Sequence, residues 1–138
     1  MIDQLDLHDD VTLAGAANHQ TVRTLLGRAT ALVLPSVIAA NGDRDGLANV
    51  ILEAMAAGTP VVSTTASAAG EAVTDGGNGY LVEPEDSNAI AEHIRELLAD
   101  PVRRERLSQH ARQTVADNFD INKIITSLTN LFHHSHTQ

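Results

Sequence analysis

Within residues 41–64, NGDRDGLANVILEAMAAGTPVVST, two acids stand eight positions apart, Asp45 and Glu53. Gly46 follows the first acid, an apolar run separates the two, Gly58 ends the run and Pro60 opens a Val-rich segment. An acid at a helix mouth, a second acid further in and free N–H groups between them suit a ligand carrying phosphates and hydroxyls. The helix end attracts anions, and carboxylates accept hydrogen bonds from hydroxyls. If the helix starts just after Asp45, its acids lie ~12 Å apart along the axis. A nucleotide sugar presents hydroxyls at two such separated places, on its ribose and on the transferred sugar. The N–H groups of Gly46, Leu47 and Ala48 would then face phosphate. The same residues also fit a plainer role, with Asp45 as an N-cap and Glu53 as a solvated helix residue.

The elements that must position this segment alternate between two periodicities. Residues 11–15 (VTLAG), 31–35 (ALVLP), 60–64 (PVVST) and 80–82 (YLV) read as strands. Residues 20–30 read as a short amphipathic helix with Val22, Leu25, Leu26 and Ala29 on one face, and 47–57 as a helix closed by Gly58. Residues 36–45 form a loop of small and turn-forming residues, and DGGNG at 75–79 is a tight turn. Asp86 caps a predicted helix over 87–99, Asp100-Pro101 starts another reaching about 118, and Asp120 caps a last one ending near 132. Strands alternating with helices predict an α/β fold, a Rossmann-like parallel sheet of about four strands with helical crossovers. Residues 1–132 are expected to form one domain, with 133–138 a flexible tail.

Composition narrows the function classes. The 138 residues are 43% hydrophobic but only 2% aromatic, so Ala, Val, Leu and Ile must pack the core. The formal charge of −9 lacks the basic footprint of a nucleic-acid binder. There is no cysteine, hence no disulfide framework or thiolate chemistry, and a cytoplasmic location is expected. No apolar run approaches the ~20 residues of a membrane span, and MIDQLDLHDD does not read as a signal peptide. The HHSH run near the C-terminus fixes no metal geometry, and no dinucleotide, P-loop, esterase or zincin motif occurs.

The segment GDRDGLANVILEAMAAGTPVVST resembles the E-x7-E signature of GT-B glycosyltransferases, in particular retaining family 4 (group 1). The resemblance extends to LVLPS at 32–36, to EAVTDG at 71–76 with GYLV at 79–82, to PED at 84–86 and to NFD at 118–120. It implies the C-terminal, donor-binding domain of such an enzyme, truncated at its N-terminal side. It implies sugar transfer from a nucleoside diphosphate sugar to a glycan, lipid or small-molecule acceptor, without a metal or other cofactor. Glu53 would bind the donor ribose. Asp45, where the family usually has Glu, would contact the donor sugar. Gly46 and Leu47 would offer backbone N–H groups, and Glu71 is either a further donor contact or a plain loop acid.

The resemblance also implies missing parts. The acceptor domain and the first donor-domain strands, with a Gly-Arg…Lys motif that neutralises the leaving diphosphate, have no counterpart in the matching motifs. That charge must be stabilised as it forms. Arg44 is the basic residue adjoining the candidate acids and either stands in or is simply solvated. The strand at 11–15 is expected either to pair directly with 31–35 or to leave the sheet for a second chain to complete. The partner would be the missing N-terminal domain or a homo-oligomer. The isolated chain is expected to lack transfer activity. The alternative reading is a non-catalytic nucleotide- or sugar-binding module, or an inactive fragment.

Overall fold

The computed structural model describes residues 1–38 and 46–119. Its sheet has three parallel strands in the order β1 (Leu32–Leu34), β2 (Val61–Thr64) and β3 (Tyr80–Val82). In register, Val33 lies beside Val62, and Val62 beside Tyr80. The helices are α1 (His19–Arg28), α2 (Asn49–Ala57), α3 (Ser87–Ala99) and α4 (Pro101–Asn118). Because side chains alternate across a strand, one face takes Leu32, Leu34 and Val61 onto a core with Leu26, Ile51, Ala54 and Met55. The other face takes Val33, Val62 and Tyr80 onto Leu97 and Leu107. α4 serves both cores, through Leu107 on one side and Ala111 on the other. The continuous apolar strands follow from burial on both faces, as parallel sheets require.

Local chemistry sets most helix ends. The Asn18 side chain accepts from Thr21 N at 2.9 Å, Asp86 from Ala89 N at 2.9 Å and Asp100 from Arg103 N at 2.9 Å, each satisfying a free first-turn donor. Gly58 closes α2 at φ +77°, and Thr59 N returns to the Ala54 carbonyl at 2.8 Å. Polar side chains on and before β2 then tie the neighbouring chain in place. Thr59 Oγ1 donates to the Leu26 carbonyl at 2.6 Å, Ser63 Oγ to the Leu34 carbonyl at 2.9 Å, and Thr64 Oγ1 to the Ser36 carbonyl. The last two hold the end of β1, where the loop toward Asp45 departs.

The turn at 75–79 owes its shape to Asn78, which is 3% exposed. Its Oδ1 accepts from Thr74 N at 2.7 Å, and its Nδ2 donates to the Ala72 carbonyl and to Thr114 Oγ1, both at 3.0 Å. This amide therefore joins the β3 approach to α4. Asn78→Ala is expected to cost about 2–4 kcal/mol, because it leaves buried partners unsatisfied. Chemical denaturation of the variant beside the parent checks this, and a cost below about 1 kcal/mol would contradict it.

Tyr80 anchors the opposite face. It is 2% exposed, His93 stacks on its ring with centroids 3.9 Å apart, and Arg103 Nε donates to its hydroxyl at 2.8 Å. Burial pushes the Tyr80 hydroxyl above its ordinary value. Glu96 lies 3.3 Å from His93 Nδ1, and that hydrogen bond, aided by Tyr80 and Arg103, holds its carboxyl below the ordinary range. A depressed carboxylate stabilises the fold above its unfolded value, 4.5, and that stability fades as pH falls through the lower folded value. The melting temperature of the parent should therefore fall more steeply below ~pH 4.5 than that of Glu96→Gln. The difference should be small, since the carboxylate is half exposed and screened.

Several sequence expectations need correction. Residues 11–15 form no strand, and the sheet has three strands among the described residues rather than four. Direct pairing of 11–15 with β1 therefore does not occur, and Leu13 stands 83% exposed. VTLAG does not take the outer edge of β1 and has no ladder partner among the described residues. Leu25, placed by periodicity on the apolar face of α1, is 53% exposed while Leu26 is buried. Helix α2 starts at Asn49 with Ala48 as its cap, not at 47. The predicted helix from Asp120 and the tail lie outside the described residues.

Candidate functional site

The helical phase of α2 decides which of its residues meet solvent. Ile51, Ala54 and Met55 are fully buried against the sheet. Glu53, Ala56 and Ala57, at spacings of three and four, turn instead toward a cavity of about 580 Å³. Its opposite wall is α1, which contributes His19 and Arg23, one turn apart on one helix face. The site is thus the groove between these two helices, kept open by the small side chains of Ala56 and Ala57.

Glu53 is the acid of this groove. Its side chain is 32% exposed, and its Oε1 lies 3.9 Å from His19 Nδ1. The contact is loose, since the imidazole is 93% exposed. Arg23 supplies a guanidinium to the same cavity. A partly exposed carboxylate in a groove that a guanidinium also lines can accept from vicinal hydroxyls.

The N-terminus of α2 is the other half of the candidate site. Ala48 is extended and offers no side-chain cap, and the first turn contains no acid. Ile51 N bonds back to the Ala48 carbonyl at 2.9 Å, and the Ala48 side chain makes no cap hydrogen bond to the first turn at the positive helix end. The helix thus begins just after Gly46, Leu47 and Ala48, whose N–H groups are expected to face an anion. Gly46 is exposed, whereas Leu47 and Ala48 pack on the core beside α2. Asn49 and Glu53 lie one turn apart on one face, ~6 Å along the axis, so both halves open the same way.

Asp45 and Arg44 lie outside the described residues, so their expected pairing with Glu53 and with phosphate has no geometry here. Glu71 ends a short 3-10 helix (Ala68–Glu71) and is exposed. It does not line the Glu53 groove. Ser67 Oγ accepts from Ala69 N at 3.2 Å and fixes the start of that turn. Nothing in the sequence pairs His19 or Arg23 with Glu53. Only the packing of α1 on α2 brings them there, and no spacing in the sequence signals it. Among the described residues no group of three or more His, Asp or Glu could hold a metal ion, and no helix is long and apolar enough to cross a membrane.

With this geometry in hand, similarity to known proteins is informative. Residues 1–114 match the family model described as glycosyl transferases group 1. The chain is 35% identical over 132 residues to a putative colanic acid biosynthesis glycosyltransferase, WcaL, of Salmonella typhimurium, covering 93% of this chain and 32% of that protein. HepE of Anabaena, crystallised in complex with UDP-glucose, superposes with a TM-score of 0.82 at 25% identity over 96% of this chain and 35% of its own. The C-terminal domain of a group 1 family protein, LpcC, from Francisella tularensis superposes with a TM-score of 0.73 at 26% identity, covering 87% of this chain and 59% of that domain. The chain thus spans about a third of the length of the curated relative it matches.

Proposed function

This chain belongs to the group 1 glycosyl transferases, and from that membership we propose that it forms the donor-binding part of an enzyme moving a sugar from a nucleoside diphosphate onto an acceptor. The observation that carries the reading is Glu53, a half-exposed carboxylate beside the uncapped N-terminus of α2. In this reading Glu53 accepts hydrogen bonds from the two ribose hydroxyls. The Asn49 and Val50 N–H groups, with Gly46 and Leu47 just before them, face the diphosphate. Asp45 contacts the transferred sugar, being one methylene shorter than the Glu usual in such signatures. Arg44 and Glu71 are further donor contacts in this reading.

Uridine nucleotides are the first donors to test, because HepE was crystallised with UDP-glucose. No metal or other cofactor is invoked. The acceptor, whether glycan, lipid or small molecule, would be held by a further domain supplied in the same protein or by a partner. The lack of cysteine fits a reducing compartment, and the cytoplasm is the proposed location.

A two-dimensional amide titration with UDP, GDP and UDP-glucose tests the reading. Shifts are expected to cluster between residues 46 and 53 and along the His19–Arg23 face of α1. A dispersed spectrum that does not move at millimolar ligand would sink it. The chain alone is expected to bind without turning over, since transfer also needs an acceptor site.

A further inference from the structure

Two separate packing demands meet at residues 78 and 79. Position 78 needs a side chain that both accepts and donates inside the protein. The buried Asn78 takes the Thr74 N–H on Oδ1, and its Nδ2 gives hydrogens to the Ala72 carbonyl and to Thr114 Oγ1. Position 79 needs glycine, because a Cβ would lie 2.8 Å from the Val61 carbonyl oxygen. Together they create an Asn-Gly step, the neighbour pair at which a chain most readily attacks itself. The backbone nitrogen of the second residue can reach the side-chain amide carbon of the first, and glycine has no side chain to obstruct it. In the folded protein that attack is blocked. Three hydrogen bonds fix the Asn78 amide, and Gly76 N closes the turn on the Gly79 carbonyl at 2.8 Å. Burial also keeps out the water that the later steps consume.

We propose that Asn78 is a self-modification site that the fold holds shut, and that deamidation there makes prolonged unfolding of this protein irreversible. Once the turn opens, Gly79 N bonds to Asn78 Cγ and the Cγ–Nδ2 bond breaks. The side-chain nitrogen leaves as ammonia, carrying the proton of the Gly79 amide. The cyclic imide then takes up a water molecule. Hydrolysis at Cγ leaves aspartate in an ordinary chain, and hydrolysis at the backbone carbonyl leaves isoaspartate, whose main chain runs through Cβ and Cγ. Nothing is oxidised or reduced. Neither product fits the turn. In aspartate an oxygen replaces Nδ2, so it meets the Ala72 carbonyl without a hydrogen to share, and its charge is buried. Isoaspartate lengthens the main chain just before Tyr80, which is in register with Val62 of β2. The chemistry is independent of the donor contacts assigned above.

The test incubates the full chain at mildly alkaline pH, either folded or held in urea. The other Asn-Gly step, Asn41-Gly42, lies outside the described residues, so an Asn41→Gln variant is run beside the parent. Samples are digested over time. The peptide spanning residue 78 is read by mass and by separation of its aspartate and isoaspartate forms. Hydroxylamine, which cleaves the chain at the imide, gives a second reading of the same bond. Conversion at Asn78 should be at least ~100-fold slower in the folded protein, because reaction requires the turn to open. In urea Asn78 should outpace Asn88, which alanine follows. On removal of urea, the refolded fraction of parent and variant should contain intact Asn78, and the lost yield should match the converted share. Equal rates in folded and unfolded protein would overturn the proposal, as would an Asn78 no faster than Asn88 in urea. Converted chains that refold as well as intact ones would overturn it too.

Discussion

Glu53→Ala is expected to weaken UDP binding by roughly ten- to a hundredfold, the equivalent of about 1.5–3 kcal/mol for hydrogen bonds to a charged group. The substitution leaves the fold alone, because Glu53 faces the α1–α2 groove while Ile51, Ala54 and Met55 hold α2 to the sheet. Alanine also removes the partner of His19, a contact of 3.9 Å too loose and exposed to affect stability measurably. The diagnostic form of the experiment is a cycle. UDP and its 2′,3′-dideoxy analogue are titrated into the parent and into Glu53→Ala. If the carboxylate reads the ribose hydroxyls, deleting them should cost the parent as much as deleting Glu53, and should cost the variant almost nothing. Equal losses in both proteins would mean that another group holds the ribose.

Gly79→Ala should be the most damaging single methyl in the described residues. A Cβ at position 79 would lie 2.8 Å from the Val61 carbonyl oxygen and 2.9 Å from Val73 Cγ1. The first obstacle is backbone of the central strand, so it cannot rotate away. Relief requires β3 to separate from β2, and the expected cost is about 3 kcal/mol or more. Against a total stability of about 5–15 kcal/mol, that would lower the denaturation midpoint sharply. Two controls isolate the cause. At Gly70 the nearest atom would be Leu81 Cδ1 at 3.7 Å, ordinary contact, and Gly70→Ala should be nearly silent. Gly76 has open space but φ +67°, so Gly76→Ala should cost only about 1 kcal/mol of backbone strain. A Gly79→Ala variant as stable as Gly70→Ala would show that β3 is not held where the structure places it.

Helices α3 and α4 were legible almost to the residue, because Asp86 and Asp100-Pro101 act on N–H groups two or three positions away. The stop at Gly58 and the strand YLV were equally plain, for glycine and turn chemistry are also local. The start of α2 was misplaced, because neither Ala48 nor its neighbours supplies a side-chain cap for a reader to find. For the site, Glu53 could be singled out from the helical signature around it. Its neighbours His19 and Arg23 could not, since they reach it only through the packing of α1 on α2.

The amino-acid sequence by itself determined where α3 and α4 begin and end, that α2 stops at Gly58, and which acid belongs to the family signature. These depend on interactions spanning a few residues or on composition. The tertiary structure alone decided that, among the described residues, VTLAG stays unpaired and β1 is the outermost strand, and that Leu25 faces solvent while Leu26 does not. A helix closes its hydrogen bonds within its own turns. A strand must find them on another segment, so its place in a sheet is settled only by which segments are there to pair with it.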